Sequence, residues 1–541
     1  MSPTRRAARA ALAAALLLPA LGACAGRSGY PARPRPESLP SNSPLLSRTL
    51  GETDAWLRYY LMEGKPDSAA LLLDARSRVR PGDELLRQLQ LGVVLHHAGK
   101  WEESNAAFAW AEAEAEARWT RSLSRQAGSL LLNDAVVEYV PPPGELAMIP
   151  YYRLLNYLAI GGADDALVEA RKAAATLGRL SEDRAPCVGD GFVHYLAGTT
   201  FRGAGERGDA LVAYRNAERS FLACDGRDEA RAPEWLGLDL YRAALEAGVR
   251  EVADSAASRY RLASDVRGAG DAAELVVFVE NGWVAHRAHA DIHVPIFPEE
   301  LEELDGGEEG SVLEAAAGVV GRLVGNLSEQ AYWGEALDEH PAFQLGAALD
   351  GAYVMKLAWP EYRLEAAEAP RVRVLVDSQA VEGPVVQDLS AVMFRRWTGQ
   401  RPGVFTRLVG RGIVKFLAVR EMEKKAKKED ESLGWLVGRV GNLVGNALER
   451  ADTRSWSLLP DRISVARFTL PPGEHRVRVE VLGPDGAVAE TVDLGTVTLA
   501  PRGTLILNRR VWGAEMGDVR RLAPHAASAR LTADVQAVPA Q

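Results

Sequence analysis

The feature that most constrains the fold is a recurring pairing of amphipathic helices with small residues at fixed offsets, running over 45–270. The clearest unit spans 85–117. Leu91, Gly92 and Leu95 lie on one predicted helix, Gly99 and Trp101 at the turn, and Ser104, Phe108 and Ala111 on the next. Small residues let the two helices approach, and an aromatic ring fills the groove between them. Gly198, Gly205, Ala210, Tyr214 and Ala217 repeat these internal spacings, and weaker copies centre on Ala69, Ala166 and Ala253. The small residues marking each second helix, Ala69, Ser104, Ala166, Ala210 and Ala253, are 35, 62, 44 and 43 residues apart. The first gap is one repeat. The others require inserted loops or longer helices, and Pro141-Pro142-Pro143 breaks the largest. Units of this kind bury their apolar faces only against neighbours, so they stack and leave an extended concave surface open to a partner.

These spacings match the tetratricopeptide pattern and predict an N-terminal α-solenoid of helical hairpins over 45–270. Near Ala272 the periodicity changes. Leu275 to Val279 is a short apolar β-branched run, Asn281-Gly282 is a turn signal, and arginines alternate with apolar residues around Val372, Val374 and Val376. With helices predicted at 312–327, 404–425 and 433–448, the segment 271–452 reads as a mixed α/β domain. From Arg462 onward Val477, Val479 and Val481 alternate with Arg476, Arg478 and Glu480, which places valines on one strand face and charges on the other. Pro471-Pro472-Gly473 and Gly483-Pro484-Asp485-Gly486 punctuate the strands, and a further strand covers 504–512. The expectation is a small antiparallel β-sandwich over 453–515 and a loose tail over 516–541, giving a multidomain α+β fold.

The first residues have the layout of a secretory signal peptide: Arg5, Arg6 and Arg9, an apolar stretch over 10–21, and Gly22-Ala23 before Cys24. That stretch is shorter than the roughly 20 apolar residues of a membrane-spanning helix. Leu21-Gly22-Ala23-Cys24 also resembles the lipobox of bacterial lipoproteins, which implies a signal peptide over 1–23 and acylation of Cys24, followed by a flexible tether over 24–44. No Asp follows Cys24, which points to the outer membrane facing the periplasm. The chain carries 63 Lys and Arg against 73 Asp and Glu, a net charge of −10, without a broad basic face, so nucleic acid is not an expected partner. Cys187 just precedes one predicted helix and Cys224 just follows its partner. An antiparallel hairpin brings them to one end, where an oxidising compartment permits a disulfide; two unlinked core cysteines remain the alternative.

Several stretches carry a family resemblance: Tyr151-Tyr152-Arg153-Leu154-Leu155-Asn156-Tyr157-Leu158 with Asp164-Asp165-Ala166-Leu167-Val168-Glu169-Ala170-Arg171; Asn281-Gly282; Trp359-Pro360-Glu361-Tyr362-Arg363; and Asp452-Thr453-Arg454-Ser455-Trp456-Ser457-Leu458-Leu459-Pro460 leading into Ala466-Arg467-Phe468 and Leu470-Pro471-Pro472-Gly473-Glu474-His475. Together they resemble a family of uncharacterised tetratricopeptide-containing bacterial lipoproteins over most of the mature chain. The resemblance implies a role in the cell envelope and brings no catalytic residues. The chain departs from it at Gly282-Trp283-Val284-Ala285-His286.

Candidate chemistry is sparse. His289, Asp291 and His293 alternate, so a strand would place three metal-ligand types on one face; a solvated polar face is the competing reading. His96-His97 points in two directions on a helix and reads as structural. Gly-rich apolar helices are predicted around Val320 to Asn326 and Val437 to Asn446, suited to close helix packing, self-association or a lipid surface. The run Lys424, Lys425, Lys427 and Lys428 beside Glu429, Asp430 and Glu431 reads as a solvated helix end. No nucleophile elbow, zinc-protease motif or phosphate loop occurs. The chain therefore reads as a non-enzymatic, lipid-anchored periplasmic scaffold without cofactors, whose repeat groove binds envelope proteins. Two alternatives stay open: an envelope-polymer hydrolase or transferase with its site in 271–452, and a structural subunit of a secretion or pore assembly.

Overall fold

Glycine sets the rhythm of the helical half. The computed structural model describes residues 50–74, 81–125, 138–184, 189–224, 232–262, 271–296, 353–363, 371–429, 451–483 and 485–512. Their helices run α1 (Glu52–Met62), α2 (Pro66–Asp74), α3 (Glu84–His97), α4 (Trp101–Arg125), α5 (Met148–Ile160), α6 (Ala163–Arg184), α7 (Gly191–Gly203), α8 (Arg207–Ala223), α9 (Leu236–Glu246) and α10 (Arg250–Arg259). Each odd-numbered helix packs along the even-numbered one that follows it after two or three residues. So short a link forces the pair antiparallel.

All five turns have one design. Gly64, Gly99, Gly161, Gly205 and Gly248 take φ between 65° and 80°. The amide of the next residue donates to the carbonyl five positions back: Lys65 to Tyr60 (2.8 Å), Lys100 to Leu95 (3.0 Å), Gly162 to Tyr157 (3.2 Å), Glu206 to Phe201 (2.9 Å) and Val249 to Ala244 (2.9 Å). This closure satisfies carbonyls orphaned at a helix end and needs a left-handed residue, for which glycine has no steric penalty. The glycines keep the spacing of the small residues that follow them. Ala69, Ser104, Ala166, Ala210 and Ala253 are all fully buried at the helix–helix contact.

The second half does not divide at 452/453. Its strands are β1 (Ala273–Asn281), β2 (His286–Ile296), β3 (Tyr353–Arg363), β4 (Arg371–Val376), β5 (Gln379–Glu382), β6 (Val385–Asp388), β7 (Arg462–Leu470), β8 (Gly473–Leu482), β9 (Val488–Leu499) and β10 (Thr504–Val511), with helix α11 (Leu389–Glu429) between β6 and β7. One sheet has the order β10-β1-β7-β6, a second β5-β4-β8-β9, and β2 and β3 form a pair of their own. The separate sandwich expected over 453–515 is thus one sandwich to which both segments contribute. It is also not wholly antiparallel, because β10 runs parallel to β1. The cause lies in β1, whose nine residues are all buried. A strand without a solvent face needs a neighbour on each edge and a layer on each side, and only the C-terminal strands β7 and β10 supply the edges.

Strand alternation then builds three layers. Leu275, Val277 and Val279 of β1, with Ala466 and Phe468 of β7, face Val372, Val374, Val477, Val479 and Val481 of the second sheet. The intervening residues Val276, Phe278, Ile463, Val465 and Ile506 join the core of the helices. The valine-in, charge-out reading of β8 holds: Arg373 and Glu480 pair at 2.6 Å on the outer face. Beside the sandwich, α11 packs on β3 through Trp359 and Trp397, whose ring centres lie 5.3 Å apart. Among the described residues no helix is long and apolar enough to cross a membrane.

Candidate functional site

The hairpin contacts form as their spacing requires. A Cβ added at Gly92 would lie 2.5 Å from the Phe108 ring, and one at Gly198 would lie 2.8 Å from Tyr214. The Ser104 hydroxyl donates to the Gly92 carbonyl at 2.7 Å and accepts from Asn156 at 2.9 Å, tying α4 to both α3 and α5. Ala111 and Ala217 are buried. Trp101 opens α4. A tight contact the sequence reading missed is Gly237, where a Cβ would meet the Tyr260 ring at 2.2 Å.

The row of first helices, which a repeat array of this kind ordinarily offers to a ligand, is covered by the chain's own sheet. Helices α5 and α7 are buried over nearly their whole circumference, whereas α2, α6 and α8 bury one face only. Every first helix reaches the strands or the segments that join them. Arg58 of α1 donates to the carbonyls of Ser457 (2.8 Å) and Val284 (3.2 Å). His97 of α3 packs edge-on against Trp512 at 5.7 Å. On α5 the Tyr152 hydroxyl donates to Glu280 (2.9 Å), and the Tyr151 ring lies 6.2 Å from Phe278. Arg202 of α7 binds both oxygens of Glu274 at 2.9 Å, and Asp239 of α9 meets Arg467 at 2.8 Å. The groove expected to hold a partner is therefore occupied internally, because β1, β7 and β10 carry an apolar face toward the helices that must be removed from water.

Polar clusters make this seam specific. In the first, Arg467 bridges Asp239 and Glu274, Arg202 spans Glu274 and Glu246 (3.0 Å), and Tyr195 donates to Asp239 at 2.9 Å. Burial raises the Asp239 carboxyl above its ordinary range against the pull of Arg467. Burial acts on Glu274 too, but Arg467 and Arg202 together outweigh it and hold that carboxyl below its usual value. In the second, Arg510 pairs with Glu280 at 3.2 Å, with both side chains almost wholly buried. The Arg510 guanidinium sits 4.8 Å from Trp283 and 5.0 Å from Trp512. Trp283 also receives Arg58 at 5.0 Å. Beside them burial, followed by His96, Arg510 and Arg509, holds His97 well below the usual imidazole range, so it stays neutral. A third group lies where Tyr139 donates to Glu145 and the Trp456 amide donates to the other Glu145 oxygen at 3.3 Å. Burial pushes the Glu145 carboxyl up to about 7.

Several of the stretches that carry the family resemblance meet here. Tyr151 and Tyr152, Asn281-Gly282 and the segment from Asp452 to Pro460 all line the seam, and the Asp461 amide donates to the Asn281 carbonyl at 2.9 Å. No family model matches the chain, and no curated protein does. Two solved structures are similar in part. One is titled MamA RS-1 ArsTM double mutant and the other MamA 41-end from Desulfovibrio magneticus RS-1. Each is 14% identical and covers 39% of this chain and 94% of its own, with TM-scores of 0.24 and 0.23.

The remaining sequence candidates are dispersed. Cys224 is buried and disulfide-bonded, while Cys187 lies outside the described residues. His289, Asp291 and His293 stand in β2 opposite Pro360, Ala358 and Lys356. His289 is exposed and its Nδ1 accepts from the Ala451 amide at 3.4 Å. The side chains of Asp291 and His293 lie outside the described residues, and among those described no three His, Cys, Asp or Glu side chains form a metal-binding group. His96 bonds Asn156 at 2.6 Å, a structural contact. Residues 1–49, with Cys24, both Gly-rich segments and the tail from 513, also lie outside the described residues. The seam charges themselves went unnoticed in the sequence. Their signal is Glu274 and Glu280 bracketing the run LVVFV, with Arg467 and Arg510 inside equally apolar strands: a charge in a strand buried on both faces implies a counter-charge from another layer.

Proposed function

We propose that this protein is a non-enzymatic scaffold of the bacterial cell envelope, tethered by an acylated Cys24, that holds protein partners on the outer row of its helices. The observation that carries this reading is the asymmetry of the hairpins. Their first helices are spent on the sheet, and their second helices present apolar side chains to water. Leu71, Val168 and Val212 are 66%, 61% and 55% exposed, and each stands two residues after a buried small residue of its helix, Ala69, Ala166 or Ala210. Repetition of one exposed position along a stack is how a repeat array offers a continuous face. Pairing and burial of the seam charges commit them to holding the layers together, which fits a frame better than a reaction centre. The lipid tether and periplasmic setting rest on the sequence of residues 1–44.

The test has two arms. Photo-cross-linking side chains placed at Val168 and Val212 in living cells should capture a defined set of envelope proteins, and Val168→Glu with Val212→Glu should abolish the capture. Identical capture from the charge-bearing variant overturns use of this face. Labelled palmitate should enter the parent protein and not Cys24→Ser, and that variant should leave the membrane fraction; an unlabelled parent overturns the tether.

A further inference from the structure

A cleft of about 150 Å³ opens where α4 and α6 run past the end of α5. Its floor is apolar: Ala115 of α4, Leu146 of the short turn before α5, and Ile149 and Pro150 of α5, with the Trp119 ring as a wall. The cleft exists because α4 and α6 are 25 and 22 residues long whereas α5 has 13, so both outer helices overhang it. Salt bridges tie the overhanging walls together. Glu112 binds Arg153 (2.8 Å) and Lys172, and accepts from Thr176 at 3.5 Å. This carboxylate is fully engaged. The pair at the mouth is different: Glu116 and Arg179 approach only to 3.4 Å and are 66% and 63% exposed. An exposed pair of this kind is held weakly and opens readily.

We propose that this cleft takes one aromatic or branched apolar side chain of a partner polypeptide, with the main chain beside that residue held by Glu116 and Arg179. Size sets the first half: about 150 Å³ over an apolar floor is room for a ring the size of benzene. The rim sets the second. Glu116 supplies carboxylate acceptors and Arg179 guanidinium donors, and a peptide unit supplies the complementary N–H and C=O. A hydrocarbon tail offers neither, and a phosphate offers acceptors alone. An anchor residue seated in a desolvated pocket with a polar surround is the usual form of an interface hot spot. The inference deepens the scaffold reading and rests on it for the existence of a partner, yet the cleft can be tested without one.

The probe is N-acetyl-4-fluorophenylalanine amide, titrated into the full chain and followed by fluorine NMR, with 4-fluorobenzyl alcohol as a ring lacking the main-chain amides. The amide should bind at least threefold more tightly than the alcohol. Glu116→Ala and Arg179→Ala should each lower its affinity about threefold. Filling the cleft with Ala115→Phe should abolish binding. Thr176→Trp, placed from the half-exposed rim so that folding does not depend on a buried substitution, should do the same while leaving the unfolding midpoint unchanged. Absence of probe binding to the native chain, undiminished binding to folded Thr176→Trp, or equal affinity for the two probes overturns the proposal. None of these results depends on whether cross-linking captures envelope proteins, so the cleft and the scaffold reading fail separately.

Discussion

Single side chains decide how closely the helices approach. Phe108 is fully buried against Gly92, so Gly92→Ala forces a ring with no room to retreat. Overpacking of this kind costs about 1–3 kcal/mol. Gly178 on α6 has open space around its missing Cβ, so Gly178→Ala should stabilise by up to about 1 kcal/mol through helix propensity. Urea unfolding of the two variants should move in opposite directions, and matching shifts would show that packing at Gly92 is not limiting. Glu145 gives a pH signature. Its carboxyl titrates at about 7 in the folded chain against 4.5 for an ordinary Glu, so the native state holds the proton more tightly than the unfolded chain. Its contribution is complete below pH about 4.5 and is lost as pH rises through about 7, roughly 3 kcal/mol across that window. Glu145→Gln should therefore gain stability relative to the parent by about 2–3 kcal/mol between pH 5 and pH 8. A difference independent of pH would mean that Glu145 is ionised throughout.

At the scale of elements, the pattern of hairpins was legible because helix pairing is local. A turn glycine, a small residue and an aromatic lie within a few turns of one another, and periodicity reports them directly. Strand partners were not legible, since β1 finds β7 and β10 across nearly two hundred residues or more, and nothing local in LVVFV names its neighbours. Buried charge gives the element-scale prediction. Arg467 in β7 is the strongest opposing charge on Asp239 of α9. Removing it with Arg467→Met leaves only the more distant Arg202, 3.9 Å away, opposite that buried carboxylate and should cost about 3 kcal/mol. Adding Asp239→Asn should restore part of the loss, with Tyr195 still able to donate to the amide oxygen. A double-mutant cycle showing no coupling between positions 467 and 239 would contradict the pairing.

For the whole molecule, the covered first-helix row means that the helical half is not an independent solenoid. Tyr151, Tyr152, Arg202 and Asp239 all bury surface against strands that lie far later in the chain. A fragment ending at residue 262 should expose that row, bind a hydrophobic dye and lose fixed tertiary structure, whereas the complete chain should unfold with helix and sheet signals changing together. A fragment with sharp unfolding and no dye binding would show that the hairpins stand by themselves.

By itself the sequence determined the helical hairpins, their turn glycines, the small residues at their contacts and the alternation of valine and charge in β8. Each depends on residues near one another along the chain, where 3.6-residue and two-residue periods act directly. Only the tertiary structure decided that strands from both sides of residue 452 make one sandwich and that this sandwich fills the surface the repeats would otherwise offer. Those outcomes depend on which apolar faces meet when all are removed from water at once, a choice that hydrophobic burial makes without regard to separation along the chain.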